Sequence, residues 1–157
     1  MGYNMEIKIV KWEDRFAKAY IDLSIEWLEK YVSVEPGDLE IIEHPYEAVL
    51  NNGGMIWFAL VNNTAVGTVT MIKSSNNSYE LAKLAVTEKY KKLGIGEKLI
   101  NAAIDFAKEN KAQKIYLFTN HNLIPAINLY KKCKFVEIPL IDNKYIESDM
   151  KMELNLK

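Results

Sequence analysis

Apolar and polar residues alternate in Glu6-Ile-Lys-Ile-Val10, which predicts a strand buried on one face. The period then lengthens. From Trp12 to Tyr31, the residues Phe16, Tyr20, Leu23, Trp27, Leu28 and Tyr31 recur at helical spacing and predict an amphipathic helix, with Trp27 and Tyr31 on its buried stripe. Glu35-Pro-Gly-Asp38 breaks the chain, and Asp38 is suited to cap a short second helix. His44-Pro45 interrupts again before a turn or two of helix over Tyr46 to Leu50, and Asn51-Asn-Gly-Gly54 turns the chain. Met55 to Val61 and Val66 to Ile72 read as strands joined at Asn62-Asn63, a hairpin pattern. A polar turn from Ser74 to Ser78 leads to a third antiparallel strand, Tyr79 to Val86. Gly94 to Asn110 predicts a helix whose Leu99, Ile100, Ala103, Phe106 and Ala107 face inward. There follow a strand (Lys114 to Thr119), a helix from Ile124 to Lys132 with Pro125 in its first turn, and two final strands, Phe135 to Ile138 and Met150 to Leu156. This order predicts an α/β (α+β) chain, one domain over 1–157. Its centre is a mixed, mostly antiparallel sheet of about seven strands flanked by helices.

Composition narrows the partners. The 157 residues are 49% hydrophobic and 26% charged, as expected of one globular domain. A net charge of −1 argues against nucleic acid. The single cysteine, Cys133, excludes an intrachain disulfide and a cysteine-based zinc site; it reads as a packing residue, and no metal centre is expected. No apolar signal region opens the chain, and no run approaches the roughly 18 apolar residues of a membrane span, so a cytoplasmic protein with no membrane partner is expected. Gly2 is a poor myristoylation signal because position 6 is Glu.

The stretch Leu81-Ala-Lys-Leu-Ala-Val86 reads as a buried strand, followed by a turn rich in lysine and glycine and then by a helix start. A helix start carries unpaired N–H groups and the positive end of the macrodipole, and Lys89, Lys91 and Lys92 add cations beside it. That equipment suits a diphosphate. A dinucleotide fingerprint would need a third glycine where Leu99 stands, and no Gly-x-x-x-x-Gly-Lys-Ser/Thr run occurs. The remaining pattern is Lys91-x-x-Gly94-x-Gly96 directly after a strand.

This pattern resembles the pyrophosphate loop of the GNAT superfamily of N-acetyltransferases, which use acetyl-CoA. The likeness extends over nearly the whole chain: Met55 to Val61 with Ala65 to Thr70, Leu84-Ala85-Val86, and a closing segment holding Leu129-Tyr130 and Phe135. Lys91 stands where the family usually has Arg or Gln, and Lys134 where it usually has Gly. The resemblance implies acetyl-CoA as cosubstrate. Its pantetheine arm would pair with the free backbone of Leu84, Ala85 and Val86, and its pyrophosphate would lie on the turn of Lys91, Lys92, Leu93, Gly94, Ile95 and Gly96. The family often has an Asn seven residues before its catalytic Tyr. Leu123 holds that position here; the flanking Asn120 and Asn122 could substitute, and Asn122 is the implied coenzyme contact.

The resemblance also implies roles in the chemistry. Tyr130 matches the acid for the leaving thiolate, and the Val86 N–H is the expected oxyanion donor. Glu80 is the first candidate for general base, directly or through a water, and His121 the second. Glu26, Glu29, Glu35 and Asp38 either attract a cationic amine or serve as surface and capping carboxylates. The expected reaction is acetyl transfer to a primary amine, on a small molecule or a peptide, by direct attack in a ternary complex. The alternatives are a non-catalytic acyl-CoA-binding or regulatory module on the same fold, or an interaction domain that binds no coenzyme. The last strands could pair across a homodimer.

Overall fold

The computed structural model describes residues 5–157; the chain start that includes Gly2 lies outside the described residues. The elements follow the predicted order: β1 (Ile7–Lys11), α1 (Ala17–Tyr31), α2 (Pro36–Ile42), α3 (Pro45–Ala48), β2 (Met55–Val61), β3 (Thr64–Ser74), β4 (Ser78–Val86), α4 (Ile95–Glu109), β5 (Lys114–Thr119), α5 (Ile124–Lys132), β6 (Val136–Ile138) and β7 (Met150–Asn155). A single 3₁₀ turn, Asp14–Phe16, leads into α1.

The seven strands form one sheet in the order β1-β2-β3-β4-β5-β7-β6. All neighbours are antiparallel except β4 and β5. The alternation in β2 shows how the sheet divides two cores. Trp57, Ala59 and Val61 pack with Leu99, Ile100 and Ala103 of α4. Ile56, Phe58 and Leu60 face the other way, against Phe16, Tyr20, Ile41 and Ile42 of the α1–α2 layer. Phe58 is fully buried there, its ring 4.8 Å from that of Phe16.

The Asn62-Asn63 hairpin forms as predicted, with both residues at positive φ (51° and 64°), as this tight turn demands. β3 is longer than the apolar run alone suggests because its ladder to β4 extends through Lys73 and Ser74. Lys134 adopts the left-handed backbone (φ 77°) of the glycine it replaces, and the Phe135 N–H then donates to the Tyr130 carbonyl at 3.0 Å. The closing turn therefore survives the substitution.

Candidate active site

The site begins where β4 and β5 separate. They pair at only three positions, Ser78–Lys114, Tyr79–Ile115 and Glu80–Tyr116, after which β4 runs on to Val86 without β5 beside it. The other edge of β5 is paired with β7 from Lys114 to Thr119. On the β3 side, the Thr87 N–H donates to the Val66 carbonyl at 2.9 Å, which makes the adjoining Gly67–Val86 pair a non-hydrogen-bonded one. The Val86 N–H and C=O therefore turn away from β3, toward the space that β5 vacates. Just before this point the ladder slips: Thr68 pairs with Ala85 and Thr70 with Ala82, so Val69 opposes both Lys83 and Leu84. Lys83 takes φ 53° to make this bulge, a conformation that costs a lysine about 1–2 kcal/mol.

The turn after β4 carries the second part. Gly94 is the N-cap of α4 at φ 78°, and a Cβ there would meet nothing within 4 Å. Its glycine requirement is conformational. Lys92 also has positive φ (65°), and such alternation gathers successive N–H groups into an anion-binding concavity. Gly96 serves differently: a Cβ there would lie 2.9 Å from Leu129 Cδ2, so this glycine lets α5 approach α4 closely. Lys92, Leu93 and Gly94 are exposed, whereas the Ile95 side chain is in the core, leaving only its N–H for a ligand. Lys91 is already engaged. Its ammonium lies 2.9 Å from Glu88, donates to Tyr31 Oη at 2.6 Å and sits 4.2 Å over the Tyr31 ring. Tyr31 is thus an exposed partner of this turn rather than a core residue. Hydrogen bonds from Lys30 and Lys91 hold the Glu88 carboxyl down to about 2.

Between the opened strands and the α1–α2 layer lies a cleft of about 780 Å³, its open mouth included. Glu80, Leu84, Ala85 and Tyr130 all line it. Glu80 is 2% exposed yet fully partnered: Lys144 Nζ donates to Oε1 at 2.7 Å and Tyr145 Oη to Oε2 at 2.9 Å. Burial, then the charge of Glu80, pushes the Tyr145 hydroxyl up, so it remains a donor. Lys83 and Asp38 form a buried ion pair across the cleft, and the Lys83 ammonium lies 5.1 Å from the Tyr145 ring centre. Asp38 also accepts the Glu35 N–H at 2.8 Å. Glu35 in turn accepts the N–H groups of Ile146 and Glu147, at 2.9 and 3.1 Å, tying the β6–β7 loop to α2. The Tyr130 hydroxyl has no hydrogen-bond partner among the described residues, and burial pushes it up. The Ser24 hydroxyl, in the same cleft wall, is buried with no hydrogen-bond partner among the described residues.

The model of the Acetyltransferase (GNAT) family matches residues 17–135. The chain belongs to this family. The crystal structure of a GNAT-family acetyltransferase from Staphylococcus aureus Mu50 superposes with a TM-score of 0.88 at 28% identity, covering 97% of this chain and 100% of that one. An acetyltransferase of Bacillus subtilis, solved in complex with CoA, shares the fold at a TM-score of 0.75 and 20% identity, over 97% of this chain and 100% of that one. An N-alpha-acetyltransferase of Sulfurisphaera tokodaii is 35% identical over 81 residues, which are 51% of this chain and 46% of that relative. The chain thus matches about half the length of that protein.

Within the GNAT frame, the structure brings Glu80, Leu84, Ala85 and Tyr130 to one cleft, with Val86 next along the strand. It does not bring Asn122 or His121 there. Asn122 is exposed, and its N–H donates to Asn120 Oδ1 at 2.9 Å. Leu123 lines the cleft, and the Asn120 side chain donates to the Glu147 carbonyl at 2.8 Å. His121 lies outside, with Nδ1 2.9 Å from Asp149 and Nε2 3.2 Å from Glu137. Those carboxylates raise its pKa, Asp149 more than Glu137. Cys133 is half-buried against the core, its thiol pushed up by burial. Of the four carboxylates that the sequence offers to a cationic amine, Glu35 and Asp38 are spent on the protein itself. Glu26 accepts the Thr87 hydroxyl at 3.0 Å, and Glu29 is exposed on α1. Lys83, Lys144 and Tyr145 escape the sequence reading. Lys83 sits in strand alternation, and Lys144-Tyr145 lies in a loop without periodicity.

Proposed function

We propose that this chain transfers the acetyl group of acetyl-CoA to a primary amine by direct attack in a ternary complex. The observation that carries this reading is the shared cleft: Glu80 and Tyr130 line the same space onto which β4 opens along the edge that β5 leaves. Leu84, Ala85 and Val86 offer backbone groups to the pantetheine arm. Lys91, Lys92, Leu93, Gly94, Ile95 and Gly96 supply the turn for the pyrophosphate. The donor provides an activated acyl carbon; every other part of the chemistry belongs to the protein.

Glu80 takes the proton of the incoming ammonium, so that the amine attacks with its lone pair. The Val86 N–H, turned toward the opening, donates to the oxygen that gains charge. Tyr130 faces the departing sulfur. A phenol near 10 already lies above a thiol near 8.5, and burial widens that gap. Tyr130 therefore acts mainly by hydrogen-bonding the thiolate as it leaves, with full proton transfer following from solvent.

Thiol release from acetyl-CoA, measured against free amino acids, polyamines and peptides with free N-termini, tests the reading. Turnover with at least one class is expected. The Sulfurisphaera relative's name makes a peptide N-terminus the first acceptor to try. Calorimetric binding of CoA without turnover on any amine would instead identify an acyl-CoA-binding module, and absence of heat with CoA would remove the coenzyme altogether.

A further inference from the structure

Two lysines pair with the buried carboxylates that line the cleft, and they are held differently. Lys83 is a strand residue, buried to 7% side-chain exposure and locked to Asp38. Lys144 belongs to the loop between β6 and β7, where Ile141, Asp142 and Asn143 are all exposed. Its side chain remains 41% exposed, yet its ammonium lies 2.7 Å from Glu80 Oε1, whose own side chain is only 3% exposed. The loop is fixed just beyond Lys144 by the Glu35 carboxylate, by Asn120 and by Ser33, which donates to Glu147 at 2.8 Å. A primary ammonium on an unbranched chain is thus delivered to the one buried carboxylate in the cleft that would deprotonate an acceptor.

We propose that Lys144 occupies the acceptor amine's station and is a site of self-acetylation by acetyl-CoA. The inference rests on the activity proposed above. Lys144 Nζ passes a proton to Glu80, and its lone pair forms a bond to the acetyl carbonyl carbon. The C–S bond of the thioester breaks, its electron pair leaves with the sulfur, and the thiolate takes up the second proton, which the nitrogen gives up as the neutral amide forms. The products are Nε-acetyl-Lys144 and CoA. The amide has no charge, so Glu80 loses its ammonium partner and the side chain no longer competes with an external amine. Lys83 cannot substitute, because Asp38 holds its ammonium on the rigid strand.

The test incubates the full chain with acetyl-CoA alone and maps acetyl groups by peptide mass spectrometry, while a parallel sample is assayed on the amine panel. One acetyl group on Lys144 is expected, formed at a rate independent of protein concentration, slowed by an amine that is itself a substrate, and absent from Lys144→Arg. Turnover of external amines with Lys144 unmodified would overturn the inference and leave the proposed activity standing. Modification of Lys144 no faster than of the exposed Lys18, or modification of Lys83 instead, would also overturn it. Acetylation of neither Lys144 nor any amine would remove both proposals together.

Discussion

Tyr145 Oη donates to Glu80 Oε2 across 2.9 Å, joining residues 65 apart in the sequence. The bond fixes one carboxylate oxygen while the other faces the cation. Hydrogen bonds to charged groups are worth about 1.5–3 kcal/mol. Tyr145→Phe is accordingly expected to lower kcat/KM by roughly tenfold or more while leaving the circular dichroism spectrum unchanged. Undiminished kcat/KM in the folded variant would mean that Glu80 does not depend on this bond.

Tyr130 lines the cleft, and its hydroxyl has no hydrogen-bond partner among the described residues, which on the proposed mechanism leaves it free to meet the leaving sulfur. Tyr130→Phe is expected to lower kcat about tenfold or more, with the acetyl-CoA dissociation constant little changed. Steady-state kinetics together with calorimetry separate the two effects. Equal turnover in the variant would exclude Tyr130 from the chemistry.

Gly94 and Gly96 predict opposite kinds of damage. Gly94→Ala strains a left-handed backbone, costing about 1–2 kcal/mol, and is expected to weaken CoA binding through the turn itself. Gly96→Ala meets Leu129 first, so its effect on melting temperature is expected to be relieved by Leu129→Ala. A Gly94→Ala protein that binds CoA as tightly as the wild type would contradict the pyrophosphate assignment of this turn.

The Lys83–Asp38 pair ties the bulge in β4 to α2. Breaking one partner of a buried pair typically costs about 3–5 kcal/mol, because the other charge is stranded. Lys83→Met is expected to lower stability by that order in chemical denaturation. Lys83→Met with Asp38→Leu should recover much of it, while activity stays low because the bulge is no longer tethered. Recovery of both in the double variant would show that the pair serves packing alone.

His121 contributes a stability term with a definite sign. Its folded pKa is raised above the usual value near 6.5, so its contribution is fully present below that value and fades as pH rises through the folded pKa. Asp149, whose pKa is lowered, keeps its charge down to below its ordinary value of about 4. The melting-temperature gap between wild type and His121→Gln is therefore expected to be widest near about pH 5–6 and to shrink above neutrality. Both groups are exposed, so the gap is small and salt-sensitive. A gap that widens with rising pH would contradict the pairing.

The strands, the helices and the glycine turn were legible because each is a local statement. Period-2 alternation in β2, helical spacing in α4 and Pro125 at the start of α5 reflect backbone geometry over a few residues, and that geometry is written in order along the chain. Glu80 and Tyr130 stand out from the pattern around them, and the fold brings both to one cleft. Tyr31 was misplaced because helical spacing marks a face without saying what covers its end; here Lys91 and Glu88 cover it. His121 stood out for its chemistry, yet its neighbours Asp149 and Glu137 turn it to a surface ion pair.

By itself, the sequence determined the element order, the family resemblance and the turn suited to a pyrophosphate. The tertiary structure decided which charges are available. Glu35 and Asp38 are consumed in holding α2 and the β6–β7 loop, and Lys83 is locked to Asp38. Glu80 meets Lys144 and Tyr145 from a loop with no periodic signal. The physical reason is that a side chain's role depends on its desolvation and on the partner within a few ångströms. Both are set by which distant segments the fold brings together, and no spacing along one chain encodes them.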